Sequence, residues 1–277
     1  MLLRPDTQTE VESFLKTVAQ EPRSALLLDY DGTLAPHRKR RDQAFPYPGV
    51  PMVLQEIMRS TSTRVVIVSG RDTSETVPLL GIQPCPEVWG LHGMQRRRPD
   101  GIVENSWLDQ RYRDSLSDAD RWLGYQELRH IAEFKSGSIA VHWRGLGDGE
   151  AEELCGRVLL GWKPIAENAG LELLQFDGGV EIRPPETDKG DAVRTILSEM
   201  SADTPAAYLG DDTTDEPAFE AMKGRGLSVL VRPKWRRTAA QLWLRPPDEL
   251  VAFLAQWLKA CRERDALSGE KEAAVNG

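Results

Sequence analysis

Three short apolar runs in this chain each end in residues suited to phosphate and metal chemistry. Asp29 and Asp31 follow the run 25–28, Ser69-Gly70-Arg71 follows 65–68, and Asp211 and Asp212 follow 206–209. Several carboxylates gathered in one place repel one another, and a divalent cation held by oxygen ligands is the simplest relief. Magnesium is the expected cation where phosphate is also handled. Asp29 can attack phosphorus, while Asp31, two residues on and on the same side, protonates the leaving oxygen and later deprotonates water. The amides of Gly32 and Thr33 can point at phosphate oxygens. Ser69 and the amides after it, beginning with Gly70, can bind the transferring group at a helix start. Lys189, beside Gly190, brings a positive charge to the same oxygens.

These residues meet only if the elements before them lie side by side. The runs 25–28, 65–68, 206–209 and 227–231 are continuously apolar, as strands buried on both faces of a parallel sheet must be. Residues 50–58, 191–200 and 216–222 have helical spacing between them, so the expected core is α/β with a doubly wound parallel sheet. In such a sheet the carboxyl ends of neighbouring strands share one crevice. The middle of the chain reads differently: a charged helix-like stretch from about residue 107, a strand at 138–143, a helix over 150–168, and strands at 171–176 and 180–182. It is expected to be an inserted α+β module, dividing the chain into 1–106 (core), 107–182 (insert) and 183–277 (core). The tail after Arg264 is expected to fray.

The bulk properties exclude other classes. With 277 residues, 40% hydrophobic and 28% charged, the chain has the composition of a soluble globular protein. A net charge of -8 offers no general attraction to nucleic acid or anionic membrane. Three scattered cysteines, Cys85, Cys155 and Cys261, argue against a disulfide framework or a zinc site and are expected to be buried small residues. No apolar run reaches the roughly 18 to 20 residues of a membrane span. Asp6, Glu10 and Glu12 occupy the place of a signal peptide's apolar core, so a cytoplasmic location is expected. The basic runs 38–41 and 96–98 read as solvated surface, the first close enough to the catalytic loop to draw in an anionic substrate. Trp235, Trp243 and Trp257 read as packing groups.

Asp29-Tyr-Asp-Gly-Thr-Leu34, Val68-Ser-Gly-Arg71, Lys189-Gly190 and Gly210-Asp-Asp-Thr-Thr-Asp-Glu216 resemble the four ordered motifs of the haloacid dehalogenase (HAD) superfamily. Within it, the wording at 29–36 and 210–216, with Leu91-His92-Gly93, Glu133-Phe-Lys135, Ser138 and Ala140-Val-His-Trp-Arg144, resembles trehalose-6-phosphate phosphatases. The similarity runs from about Ala25 to Phe219. The resemblance implies a Rossmann-like HAD core with a mobile inserted cap, and hydrolysis of trehalose 6-phosphate with Mg2+ through an aspartyl phosphate. It implies Asp29 as nucleophile, Asp31 as acid/base, and metal held by Asp29, the carbonyl of Asp31, and Asp211. Asp212 and Asp215 would support the metal site, Ser69 and Lys189 would bind phosphate, and His92, Glu133, Lys135, His142 and Arg144 would contact the sugar. The implied partner beyond the sugar phosphate is a trehalose-phosphate synthase.

Simpler readings stand beside these. Asp215, before Glu216-Pro217, also fits a helix N-cap. Lys189 could be a solvated lysine, Glu133 and Lys135 an exposed ion pair, and His92 and His142 satisfied structural histidines. Gln95 stands where the family often has an acidic residue, and Trp143 where it usually has tyrosine. Both are expected on the sugar-reading side. They leave open another sugar phosphate, of glucosylglycerol or hexose type. A non-catalytic sugar-phosphate-binding domain regulating a synthase is the rival of a different class, although no nucleophile or metal ligand has been lost.

Overall fold

The structure, a computed structural model, describes residues 5–104, 110–135, 138–143, 146–176, 179–185 and 188–275. In chain order the first elements are α1 (Pro5–Val18), β1 (Ser24–Leu28), α2 (Val50–Ser60), β2 (Thr63–Val68), α3 (Thr73–Leu80), β3 (Glu87–Gly90), β4 (Gln95–Arg97) and β5 (Val103–Glu104). There follow α4 (Gln110–Tyr125), β6 (Ala132–Lys135), β7 (Ser138–His142), α5 (Asp148–Ala169), β8 (Glu172–Phe176) and β9 (Gly179–Arg183). The last group is α6 (Lys189–Ser198), β10 (Ala206–Gly210), α7 (Glu216–Ala221), β11 (Leu227–Val231), β12 (Leu242–Leu244) and α8 (Asp248–Val275). The chain divides into two compact units, Met1–Asn105 with Asp188–Gly277, and Ser106–Thr187.

The first unit is built on a sheet of order β12-β11-β10-β1-β2-β3-β4-β5. The six strands from β12 to β3 are parallel. Alternate residues of β1 feed opposite cores. Leu26 and Leu28 pack with Leu15, Leu54, Ile57, Phe253 and Trp257 from α1, α2 and α8. Ala25 and Leu27 pack with Val193, Ile196, Ala218 and Phe219 from α6 and α7. Both faces being covered explains why the strand runs are apolar throughout rather than alternating. The register sets Leu28 beside Leu209 on one side and Ile67 on the other, so β1, β10 and β2 present their carboxyl ends side by side.

The structure departs from the sequence reading in several places. β4 and β5 extend the parallel sheet with antiparallel pairs. The run 96–98 that forms part of this edge is more than solvated surface: Arg96 lies over the Trp89 ring at 5.1 Å and pairs with Glu87 and Glu199, and Arg98 pairs with Glu104. The tail does not fray at Arg264, because α8 runs to Val275 through a segment rich in the helix formers Ala, Glu and Lys. Trp235 is exposed rather than a packing group, and Cys155 is only half-buried.

The second unit has an antiparallel sheet of order β6-β7-β9-β8. Ile139, Val141, Val180 and Ile182 face a core with Leu116, Ala119 and Leu123 of α4 and Val158 and Trp162 of α5. By the period of two along a strand, Glu133, Ser138, His142 and Glu181 stand on the opposite face.

Trp257 is fully buried between Phe14 and Phe253, with its Nε1 donating to Thr63 Oγ1 at 3.2 Å. Trp257→Ala is expected to cost about 3–5 kcal/mol of stability. Denaturant unfolding checks this, and a loss below about 1 kcal/mol would mean that α8 does not close this core as described.

Candidate active site

Asp29 follows β1, and its amide donates to Leu209 O of β10 at 2.8 Å, which ties it to the strand that delivers Asp211. Its carboxylate is buried. Oδ1 accepts from Lys189 Nζ at 2.6 Å and Oδ2 from Thr33 Oγ1 at 2.9 Å. Lys189 also donates to Asp215 Oδ1 at 2.7 Å, so one buried ammonium bridges two carboxylates. The lysine is the first residue of α6, where its charge opposes the helix dipole. The reciprocal Asp188–Asp191 capping box sets that helix start. Lys189 is therefore not a solvated surface lysine.

Asp215 does not cap α7 with its side chain. Its Oδ1 also accepts from Tyr208 Oη at 2.6 Å, and its Oδ2 accepts from the amides of Asp211 and Asp212 at 3.0 Å each. Ligand atoms of Asp29, Asp211 and Asp215 all lie within 4.8 Å of one another. Asp212 enters the arrangement through its backbone amide, and its side chain is exposed.

The electrostatics follow from three neighbouring carboxylates and one ammonium that bonds two of them. Burial drives the Asp29 pKa well above its ordinary value, Asp215 and Asp211 push it further, and Lys189 opposes them. Asp211 is likewise raised, chiefly by burial, with His37 working against the shift. Burial disfavours the charge on Lys189, yet Asp29 and Asp215 outweigh it and hold the pKa above the ordinary lysine value. Burial sets the direction for both acids and their mutual repulsion adds to it, and such a cluster takes up positive charge. The oxygen donors and this two-charge deficit fit a divalent cation such as magnesium.

Glycine is required at two places in this region. Gly32 has φ +88°, and a Cβ there would lie 2.1 Å from Asp211 Oδ2. A Cβ on Gly70 would lie 2.7 Å from the His92 ring. His92 and Leu91 hold left-handed backbone at φ 57° and 51°. Their amides donate to Ser69 O and Arg71 O at 2.9 Å, which docks the end of β3 on the phosphate-loop candidates Ser69 and Gly70. Ser69 is buried, and its Oγ accepts from Arg71 N at 3.1 Å.

Several site residues carried no role in the sequence reading. Arg71, 3% exposed, grips the Asp31 carboxylate with two bonds of 2.6 and 2.7 Å and donates to Arg41 O. Its place directly after Ser69-Gly70 was the available signal. His37 Nε2 lies 2.9 Å from Asp211 Oδ2, and Tyr208 anchors Asp215 from within an otherwise apolar strand. Arg40 pairs with Asp42 and Arg41 with Glu75, leaving Arg38 and Lys39 as the exposed remainder of the first basic run.

In the second unit, His142 Nε2 lies 3.0 Å from Glu133 Oε2, so the histidine has a carboxylate partner and Glu133 is paired across the sheet. Lys135 ends β6, and Arg144 lies outside the described residues. Ser138 pairs with Glu181, a further acid on this face that its position between Val180 and Ile182 could have revealed. Both departures from the family wording have partners within the protein. Gln95 sits in the first unit, its Oε1 accepting from Thr73 N and Oγ1 at the start of α3, each at 2.9 Å. Trp143 packs against the second unit's hydrophobic core.

With this geometry in place, comparison with known proteins is direct: the profile described as trehalose-phosphatase matches residues 27–244, well over half of the chain. The chain belongs to the trehalose-phosphatase family. An uncharacterized glycosyl hydrolase of Mycobacterium tuberculosis is 31% identical over 274 residues, covering 93% of this chain and 20% of its own length. A trehalose-phosphate phosphatase of Mycobacterium marinum is 29% identical over 246 residues, covering 84% of this chain and 60% of its own length. This member of the trehalose-phosphatase family thus spans less than two thirds of these relatives. In structure it is similar to a trehalose-6-phosphate phosphatase of Aspergillus fumigatus, with a TM-score of 0.65 at 24% identity, covering 90% of this chain and 98% of the other. That likeness confirms the α/β architecture. Among the described residues no helix is long and apolar enough to cross a membrane.

Lys189→Met leaves two buried carboxylates without their shared cation, and is expected to cost about 3–5 kcal/mol near neutral pH. The substitution raises the folded-state pKa of Asp29 further above its unfolded value, and a carboxylate raised in this way loses stability as pH rises. The deficit relative to wild type should therefore be larger near pH 8 than near pH 5 in thermal unfolding at both values, and an equal deficit at both would refute the charge account.

Proposed function

We propose that the chain is a magnesium-dependent phosphatase that hydrolyses trehalose 6-phosphate to trehalose and phosphate through a phosphorylated Asp29. The observation that carries this reading is the buried cluster of Asp29, Asp211 and Asp215, two of them bridged by one lysine, at the carboxyl ends of adjacent parallel strands. Simple structural acids do not need such a constellation.

Lys189 and Thr33 fix the two oxygens of Asp29 and so aim the nucleophile. An Asp29 oxygen bonds to phosphorus as the bond between phosphorus and the sugar oxygen breaks. That oxygen takes its proton from Asp31, which must first exchange the Arg71 guanidinium for the substrate. Asp31 then accepts a proton from water as water attacks the acyl phosphate and returns Asp29 to its carboxylate. The amides of Thr33 and Gly70, the Ser69 hydroxyl and the Lys189 ammonium bind the phosphoryl oxygens, whereas the Gly32 amide, expected from the sequence to join them, donates to Ala35 O at 2.7 Å and closes the turn instead. Asp29, the backbone carbonyl of Asp31, and Asp211 would hold magnesium, which supplies positive charge to the phosphoryl group when bound. Asp215, with both oxygens already engaged, orients this set from behind, together with the Asp212 backbone. His92, Glu133, Lys135, His142 and Arg144 are the candidates for sugar recognition, and Glu181 joins them. A bifunctional trehalose-6-phosphate synthase/phosphatase of Thermoproteus tenax, 29% identical over 232 residues, supports a synthase as the partner protein. A cytoplasmic location fits this partner and these substrates.

The test is phosphate release from trehalose 6-phosphate, glucose 6-phosphate and glucosylglycerol phosphate, with magnesium or EDTA. Trehalose 6-phosphate should be strongly preferred, and EDTA or Asp29→Asn should abolish release. Asp31→Asn should slow turnover by about 10²- to 10⁴-fold. Magnesium-dependent release from a different member of the panel would retain the chemistry and replace the substrate. No release from any, by folded protein with metal, would overturn the phosphatase reading in favour of a binding domain.

A further inference from the structure

The loop between β11 and β12 lies outside all four motifs, yet it reaches the acidic loop after β10 with two arginines. Arg232 Nη1 donates to Asp211 O at 3.3 Å. Arg236 Nη2 donates to Asp212 O at 2.6 Å, and its Nε lies 3.5 Å from Asp211 O. The remaining Arg236 nitrogen, Nη1, pairs with the Glu216 carboxylate and donates to Arg237 O at 2.9 Å. Glu216 holds the far side of the same loop by accepting from Ala239 N at 2.8 Å. Arg232 is itself fixed, with its amide on Leu244 O and its carbonyl accepting from Trp243 Nε1.

The Asp211–Asp212 backbone is thus gripped from two sides. Asp215 takes both amides, and the arginines take both carbonyls. The direction of the Asp211 carboxylate is set by the backbone that carries it, so the grip on the carbonyls is a grip on the carboxylate. A guanidinium is a rigid planar fork that can serve two successive carbonyls and a carboxylate at once, and an ammonium cannot reproduce that geometry. The arginine side chain is 18% exposed, with its bonds to Asp211 O and Glu216 half-buried and its bond to Asp212 O at the surface.

We propose that Arg236, seconded by Arg232, is a positioning residue for the divalent cation: it holds the Asp211–Asp212 loop in the shape that lets Asp211 act as a metal ligand. This rests on the assignment of Asp211 as a ligand in the proposed phosphatase. It also gives Glu216, the last residue of the fourth motif, a task, which is to aim Arg236.

The experiment measures Mn2+ binding to the full chain without substrate, by electron paramagnetic resonance, for wild type, Arg236→Gln, Arg236→Lys, Glu216→Gln and Asp211→Asn. Loss of a supporting contact to a metal ligand is expected to weaken affinity about 10-fold or more. Arg236→Gln should show that loss, Arg236→Lys should recover little of it, and Glu216→Gln should fall between Arg236→Gln and wild type. Wild-type affinity in folded Arg236→Gln, with Asp211→Asn impaired, overturns the proposal and leaves the metal site standing. Wild-type affinity in Asp211→Asn overturns the ligand assignment and the proposal with it. Should Arg236→Gln fail to fold, Glu216→Gln with Arg232→Gln decides the matter, since wild-type affinity in both removes the grip from any role in metal binding.

Discussion

The position of one ammonium governs the catalytic end of this protein. Lys189 Nζ, 4% exposed, sits between Asp29 and Asp215 at 2.6 and 2.7 Å. A buried lysine flanked by carboxylates is stable only while both partners stay in place, because the loss of either strands a charge in a poorly solvated site. That condition reaches far into the fold. Asp29 is placed by the pairing of β1 with β10, Lys189 by the capped start of α6, and Asp215 by Tyr208 and the amides of residues 211 and 212. The segments that meet here are distant in sequence, so the charge cluster and the sheet topology specify each other.

Division of labour among the acids follows from their hydrogen bonds. Asp215 has both oxygens committed to the protein, which makes it part of the frame. Asp29 has each oxygen directed by a single side chain, so its geometry is fixed while it remains able to react. Asp31, gripped by Arg71 and partly exposed, is held by a partner that must yield before it can do anything else. In the proposed phosphatase, three aspartates of the same chemical type are thereby sorted into frame, nucleophile and exchangeable acid by what surrounds them.

Much of this was legible in the sequence, for physical reasons. Apolar runs located β1, β2, β10 and β11, because strands covered on both faces hold few polar residues. The polar residues at the ends of β1, β2 and β10 marked the crevice. The antiparallel β4–β5 edge was hidden because Arg96 and Arg97 look like surface, and the place of Arg96 depends on tertiary contacts with Trp89, Glu87 and, 103 residues on, Glu199. Tyr208 resembled any other core residue of its strand, and its hydroxyl gains meaning only once Asp215 lies against it. Arg232 and Arg236 fell in a loop without periodicity, where pattern carries no information about contacts. Gln95 and Trp143 stood out by their place in the wording, but the hydrogen bond at α3 and the packing in the second unit's core depend on tertiary contacts that the wording does not carry.

The order in which the chain is made gives the central place of β1 a further meaning. β1 pairs on one side with β2, close behind it in sequence, and on the other with β10, which is made only after the whole of the second unit. A nascent chain therefore carries a half-paired apolar strand while the second unit, with a hydrophobic core of its own, is synthesised. Until the segment from α6 to the end of β10 is made, Asp29 lacks Lys189 and Asp211. The acidic cluster is thus assembled late, and a ribosome that stops before β10 releases a chain without that cluster and with an open strand edge.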